Sequence, residues 1–364
     1  MSRLELITDL GIIEKNAAAV RNRIDPGVKV LAIVKADAYG HGSRQVARRL
    51  EDKELCDCFA VATALEGLAL REAGIKKDIL ILGYSDEEDM EIAVKNDIQL
   101  TVYSEDSLRG LNAVSEKMGK DASAHLKIDT GMNRIGVKNS DALDAVLTLW
   151  KSITGIRMAG IFSHFSSADI SKEYTENQFD AFIKACERAK AYGFSPVRHI
   201  SASTAMFDRK YQLDMVRAGI SLYGGNEEND VFLPAQTLKS HPVRVIRLKK
   251  GEKVGYGMNF SCERDTTVMT VPCGYGDGYP RLLSNRGYVL VNGVKAPIIG
   301  NICMDMLMAD VTDAGDVNNA SEVVLLGEQN GNRITPLALA NLSNTIPYEI
   351  MLGFSERVKR TWIQ

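Results

Sequence analysis

Between about residue 28 and residue 225 the sequence alternates, and this alternation restricts the fold more than any other feature. Short β-branched or apolar runs are each followed by a longer amphipathic stretch. "KVLAIVKA" reads as a strand and "SRQVARRLE" as a helix. "CFAVAT" and "ALEGLALREAG" repeat the pair, with Gly74 at the helix stop. "DILILGY" precedes "SDEEDMEIAVKN", whose opening supplies an N-cap and an acidic first turn. The strand-like runs continue with "IQLTVY", "SAHLKID", "RMAGIFSHF", "PVRHISAS" and "AGISLYGG". Strands alternating with helices at this spacing imply right-handed βαβ units and a parallel sheet. About eight such strands, nearly all with a helical follower, fit a closed (β/α)8 TIM barrel better than an open doubly wound sheet.

After residue 230 the texture changes. "HPVRVIRLKKGEKVGYGMNF", "TTVMTVPCGYG", "GYVLVNGVKAPIIG" and "MLMADVT" are strand-like, with few helical patterns between them. Asn292-Gly293 between "YVLV" and "VKAPIIG" is a hairpin signal. The expected organisation is an α/β barrel over 1–230 and a mainly-β C-terminal domain over 231–364. The first ~10 residues are expected to pack with the β domain, outside the βαβ pattern.

Composition narrows the function. Net charge is −3, from 44 basic and 47 acidic residues well mixed along 364. That balance gives no footprint for nucleic acid or an acidic membrane surface. The N-terminal stretch lacks an apolar h-region, and no run approaches the length of a membrane span. Six cysteines in a chain this long make no disulfide framework, and reduced thiols in a cytoplasmic protein are expected.

Lys35 ends the apolar run "VLAIVK", and "ADAYGHG" follows. Barrel enzymes place catalytic groups at the C-terminal ends of strands, although a strand-end lysine also commonly snorkels from the rim. A lysine held among apolar groups has its pKa pulled down, and a neutral lysine can form a Schiff base with an aldehyde cofactor. Pyridoxal 5′-phosphate would also need phosphate ligands. Tyr39 offers a hydroxyl, and the glycine-containing stretches near "SAST" (201–204) and "RAGISLYGG" offer backbone N–H groups.

"VKADAYGHG" closely resembles the cofactor-lysine signature of the alanine racemase family. The likeness runs nearly the whole chain, through "HLKIDTGMNRIG", "GIFSHFSSAD", "RAGISLYG", "VGYGMNF", "VPCGYGDGYPR" and "GNICMDM", in the family's order. It implies a barrel binding pyridoxal phosphate, a following β domain, and a homodimer in which each site borrows residues from the other subunit. The implied reaction is two-base racemisation of a small amino acid, with L- to D-alanine favoured, supplying D-alanine for peptidoglycan.

The resemblance also implies roles. Lys35 and Tyr256 are the two bases, Tyr256 coming from the partner subunit. His164 hydrogen-bonds the tyrosine and Arg217. Arg217 donates to the pyridine nitrogen; because arginine stays protonated, the cofactor becomes a poorer electron sink. Tyr39, Ser203 and the backbone N–H groups of Gly219 and Ile220 hold the phosphate. Arg134 and the Met304 N–H meet the substrate carboxylate. Lys127 matches a lysine that is carbamylated in some members. No metal is implied.

Two positions depart from the family pattern. Asn301 stands where members often have arginine, and Glu356 stands where some have a tyrosine close to the phosphate. Both bear on the substrate side chain, so a serine or broad-specificity racemase is the alternative within the family. A non-catalytic pyridoxal phosphate-binding protein is the alternative of another class; such proteins lack the second domain. A related decarboxylase would pair the pyridine nitrogen with glutamate, which "RAGISLYG" opposes.

Overall fold

The computed structural model describes residues 2–225 and 231–364. It divides into two compact units. One comprises Glu14–Ala38 and Ser43–Leu222; the other comprises the chain up to Ile13, the loop Tyr39–Gly42, and Tyr223–Gln364. The expected boundary at 230/231 falls at 226–230, outside the described residues.

Strand β1 (Leu4–Asp9) belongs to the second of these units. The first unit is built on eight strands: β2 (Lys29–Ile33), β3 (Cys58–Val61), β4 (Asp78–Ile81), β5 (Leu100–Val102), β6 (Ala122–Lys127), β7 (Ile156–Phe162), β8 (Val197–His199) and β9 (Met215–Ala218). All neighbours pair in parallel, in the orders β4-β3-β2-β9 and β5-β6-β7-β8. Parallel bridges Leu80↔Gln99 and Ala202↔Arg217 join the two runs, so the sheet closes into an eight-stranded barrel. Helices such as Ala64–Glu72, Glu105–Met118 and Lys172–Ala191 cover it.

Local chemistry sets these helices. Thr63, Asp86, Ser104, Asn139 and Ser171 each cap a helix start by accepting a backbone N–H through the side chain. Between β8 and β9 the described residues hold no α-helix, only the single 3-10 turn Arg209–Tyr211. Leu31, Phe59, Ile79 and Leu126 are buried, as parallel strands covered on both faces require. Trp150 is fully buried, with its indole N–H donating to the Ile156 carbonyl at 2.9 Å.

The second unit is mainly β. Strand β1 pairs antiparallel with β10 (Gln236–Ser240) and parallel with β20 (Lys359–Ile363). The same sheet continues through β18 (Val323–Gln329), β15 (Tyr288–Val291) and β16 (Val294–Pro297). Asn292 and Gly293 both have positive φ, +53° and +77°, and join β15 to β16 as a two-residue hairpin. A smaller sheet holds β11 (Arg244–Leu248), β14 (Thr266–Val271) and β17 (Leu307–Asp310). Two short helices, Pro336–Ser343 and Pro347–Leu352, interrupt what the sequence reads as nearly all β. Each begins with proline at its first position, where the missing N–H costs nothing. Among the described residues no helix is long and apolar enough to cross a membrane.

Candidate active site

The chain after β2 takes an uncommon course. Ala36, Asp37, Ala38 and Tyr39 all have φ between +50° and +55°, and Gly40 follows at +78°. Four consecutive non-glycine residues in the left-handed region cost roughly 1–2 kcal/mol each, so their surroundings must fix them. Within the barrel unit, Glu66 accepts the N–H of Ala36 at 2.7 Å and that of Ala62 at 2.8 Å. Asp37 accepts the Ser43 N–H at 2.7 Å. Within the other unit, Gln236 and Arg360 both donate to the Gly40 carbonyl, at 2.9 and 2.6 Å.

Lys35 stands at the start of this turn and is half-buried. Burial lowers its pKa, and the Arg134 and Arg217 cations lower it further against the opposing pull of Glu66. Lys127 ends β6 and is buried, its Nζ lying 4.3 Å from the Phe162 ring centroid. Burial holds its pKa well below the usual lysine value, and Arg217 and Arg134 add to the effect. Arg134 itself is exposed on the loop after β6.

Arg217 on β9 is buried and surrounded by acceptors. One terminal nitrogen lies 3.1 Å from His199 Nδ1. The other lies 2.8 Å from His164 Nδ1, 2.8 Å from the Ser163 carbonyl and 2.7 Å from the Ile200 carbonyl. Burial and Arg134 push Arg217 down to about 9, which leaves it cationic at neutral pH. A guanidinium has no acceptor, so His164 Nδ1 must accept and the imidazole proton sits on Nε2. Burial keeps His164 neutral, reinforced by Arg217, Lys127, Arg134 and Lys35.

Beyond the end of β8, the Ser203 hydroxyl accepts the Gly219 N–H at 3.2 Å and the Ser221 N–H at 3.5 Å. Ser203, Gly219 and Ile220 are buried. This hydroxyl-and-amide cradle, whose Gly219 lies two residues after Arg217, suits an anionic group such as a phosphate monoester. A half-buried amine of lowered pKa suits an aldehyde. The barrel residues therefore fit pyridoxal phosphate.

The remaining expected residues lie in the other unit. Tyr39 is buried edge-on against Tyr223 and Tyr348, with ring centroids 5.0 and 5.6 Å away. Tyr256 is 73% exposed. It sits in a turn between Gly255 and Gly257, whose φ values are +73° and +75°. Asn301 donates to the Tyr256 carbonyl at 2.8 Å and accepts from Asn259 Nδ2 at 2.9 Å, bracing that turn. Met304 is exposed, and its carbonyl accepts the Gly276 N–H at 2.8 Å. Glu356 is exposed.

Among the buried polar residues that the sequence did not single out are Gln99, His125 and His199. His125 lies two residues before Lys127 on the same strand, so strand alternation places both on one face; that parity is the available signal.

A family model described as "Alanine racemase, N-terminal domain" matches residues 8–227, and one described as "Alanine racemase, C-terminal domain" matches 235–362. The chain belongs to the alanine racemase family. Alanine racemase 2 of Caldanaerobacter subterraneus subsp. tengcongensis is 39% identical over 363 residues, covering 98% of this chain and 93% of the relative. The alanine racemase structure of Clostridium difficile 630 superposes with a TM-score of 0.92 at 35% identity, covering 100% of this chain and 96% of that one. The Bartonella henselae alanine racemase structure, solved with covalently bound pyridoxal phosphate, gives 0.88 at 26% identity, with 100% of both chains covered.

Proposed function

We infer that this chain is a pyridoxal phosphate-dependent alanine racemase, interconverting L- and D-alanine by two bases. The observation that carries the reading is the buried Arg217, which holds His164 and His199 as acceptors beside a lysine of lowered pKa. When bound, the cofactor supplies the aldehyde that links to an amine and the ring that withdraws electrons from Cα. Lys35 would hold that aldehyde and, once the substrate amine has displaced it, its freed Nζ moves a proton on one face of the substrate. Arg217 offers N–H donors toward the ring nitrogen. Ser203 and the amides of Gly219 and Ile220 hold the phosphate, with the Tyr39 hydroxyl. Arg134 and the Met304 N–H receive the substrate carboxylate.

Tyr256 moves a proton at Oη on the other face and comes from the partner subunit of a homodimer. Its exposure supports this, as does that of Met258, Met304 and Met306, at 68%, 52% and 44%. Apolar side chains exposed together favour an interface. A second tyrosyl base matches a reaction that must take a proton from either face. D-alanine made in the cytoplasm would feed peptidoglycan.

Lys127 is the candidate for carbamylation. A neutral buried amine reacts with CO2 to give a carbamate and one proton, and the new anion would face Arg134. Enzyme equilibrated with 13C-bicarbonate should show one slow carbamate carbon resonance that Lys127→Met lacks; identical spectra would refute it.

The deciding test is α-proton exchange in deuterated water with both enantiomers of alanine and of serine. Fast exchange with loss of optical rotation is expected for alanine, and slower exchange for serine. Equal or faster serine turnover would mark a serine or broad-specificity pocket instead. Lys35→Ala and Tyr256→Phe should each lower racemisation by at least about 100-fold, the scale of a lost acid–base group.

A further inference from the structure

A line of buried polar side chains runs through the barrel lumen away from the site. His199 Nε2 lies 2.9 Å from His125 Nδ1, and His125 Nε2 lies 2.8 Å from Gln99 Oε1. With the Arg217–His199 contact at 3.1 Å, this makes an unbroken chain from β9 through β8 and β6 to the residue preceding β5. Gln99, His125, His199 and Arg217 are all buried.

The direction of every bond follows from its end. A guanidinium only donates. His199 Nδ1 therefore accepts, and its proton sits on Nε2. That N–H donates to His125 Nδ1, which leaves the His125 proton on Nε2, aimed at the Gln99 carbonyl oxygen. Two imidazoles with free choice of tautomer are reduced to a single arrangement.

The strand between them makes room for the chain. Strand β7 lies between β6 and β8, and its Gly160 pairs in register with His125. A Cβ on Gly160 would lie 2.2 Å from His125 Nδ1. The β6–β7 register shifts at this point, pairing Ala124 with Met158 but His125 with Gly160. Such a bulge re-aims a side chain. Phe162 stacks on His199 with ring centroids 4.8 Å apart and planes 4° apart, fixing the second ring. At the far end, Gln99 and His125 line a cavity of about 130 Å³ at the N-terminal mouth of the barrel, together with Lys29 and Arg157. Burial between Arg157 and Arg217 disfavours a proton on His125.

We propose that Gln99, His125 and His199 are positioning residues for Arg217: a one-way hydrogen-bond chain that anchors the guanidinium from the opposite end of the barrel and fixes where its remaining N–H groups point. The proposal rests on the racemase reading for its catalytic consequence, but the tautomers themselves do not. Gln99 is the control point, because its amide supplies a pure acceptor to a neutral imidazole. A carboxylate there would draw a second proton onto His125. His125 would then donate to His199 Nε2, moving the His199 proton to Nδ1 and setting it against the Arg217 N–H groups.

The test uses cofactor-loaded enzyme labelled with 15N-histidine, read by two-bond 1H–15N correlation. Wild type should show His125 and His199 both neutral and both protonated on Nε2. Gln99→Glu should protonate His125 doubly, shift the cofactor's visible absorption band, and lower kcat by about tenfold with the KM for alanine within about twofold, as expected when a hydrogen bond to a charged group is disturbed. Gln99→Met, close in size but without an acceptor, should mix the tautomers and lower kcat by about threefold. A wild-type spectrum with the His199 proton on Nδ1 would overturn the proposal, whether or not Gln99→Glu folds. So would Gln99→Met with tautomers, absorption band and kcat all unchanged. Wild-type enzyme that racemises no amino acid would sink the racemase reading while leaving the tautomer result standing.

Discussion

A catalytic group and its brace are separate commitments, and Asn301 shows the second kind. Its side chain holds the Tyr256 carbonyl and the Asn259 amide at once. The two flanking glycines leave the Tyr256 turn little stiffness of its own. Asn301→Ala is expected to lower kcat by about three- to tenfold through a mispositioned tyrosine, since each such bond is worth about 1 kcal/mol. The fold should be retained, because the residue lies outside the packed core. Steady-state kinetics alongside a thermal melt would check this, and unchanged kcat would show that the turn holds itself. Strand-end position made Lys35 legible in the sequence, because it closes an apolar run, whereas Lys127 and Arg217 were legible through the family resemblance of "HLKIDTGMNRIG" and "RAGISLYG". The bracing role of Asn301 was not legible, since it depends on a partner 45 residues away.

At the scale of elements, the sequence carries the barrel well because each unit repeats one local rule: cap, amphipathic helix, apolar strand. The left-handed turn after Lys35 has no such rule. Ala, Asp, Ala and Tyr carry no glycine signal, and the conformation is imposed by Glu66, Gln236 and Arg360. Replacing the exposed Ala36 by glycine should therefore stabilise the protein by up to about 1 kcal/mol, because glycine adopts positive φ without a Cβ penalty. Ala36→Val should destabilise it by a similar or larger amount. Urea midpoints of the two variants test this; equal midpoints would mean that the strain is absent. The lumen chain was hidden for a different reason. His125 and His199 meet only because β7 lies between their strands and offers a glycine where a side chain would intrude. Gly160→Ala should accordingly displace the His125 ring and reduce kcat, with melting temperature as the control for a simple packing defect.

For the whole molecule, the buried imidazoles tie stability to pH. His125 is held down to about 3 by burial, then by Arg157 and Arg217. Burial likewise lowers His199 and His164. A depressed folded-state pKa means that the unfolded chain takes up its proton first, so stability rises with pH. The contribution is fully present above about pH 6.5, the ordinary histidine value, and is lost as pH falls toward the folded pKa. Each histidine removes about 1.4 kcal/mol per pH unit in that window. The melting temperature should fall steeply below about pH 6.5, and His125→Asn should flatten that slope. An unchanged slope would mean that His125 is already protonated in the folded protein.

Strand β1 has a further consequence, for how the chain is made. It leaves the ribosome long before either strand that pairs with it, because β10 and β20 both lie more than 200 residues further along the sequence. At typical synthesis rates of 5–20 residues per second, β1 waits about 10–50 s for its first partner and longer for its second. Throughout that interval it is an unpaired edge, the kind of surface that recruits another chain. Newly made protein should therefore depend on chaperones more than the stability of the finished fold would suggest. Slowed translation should lower its yield unless something shields those six residues.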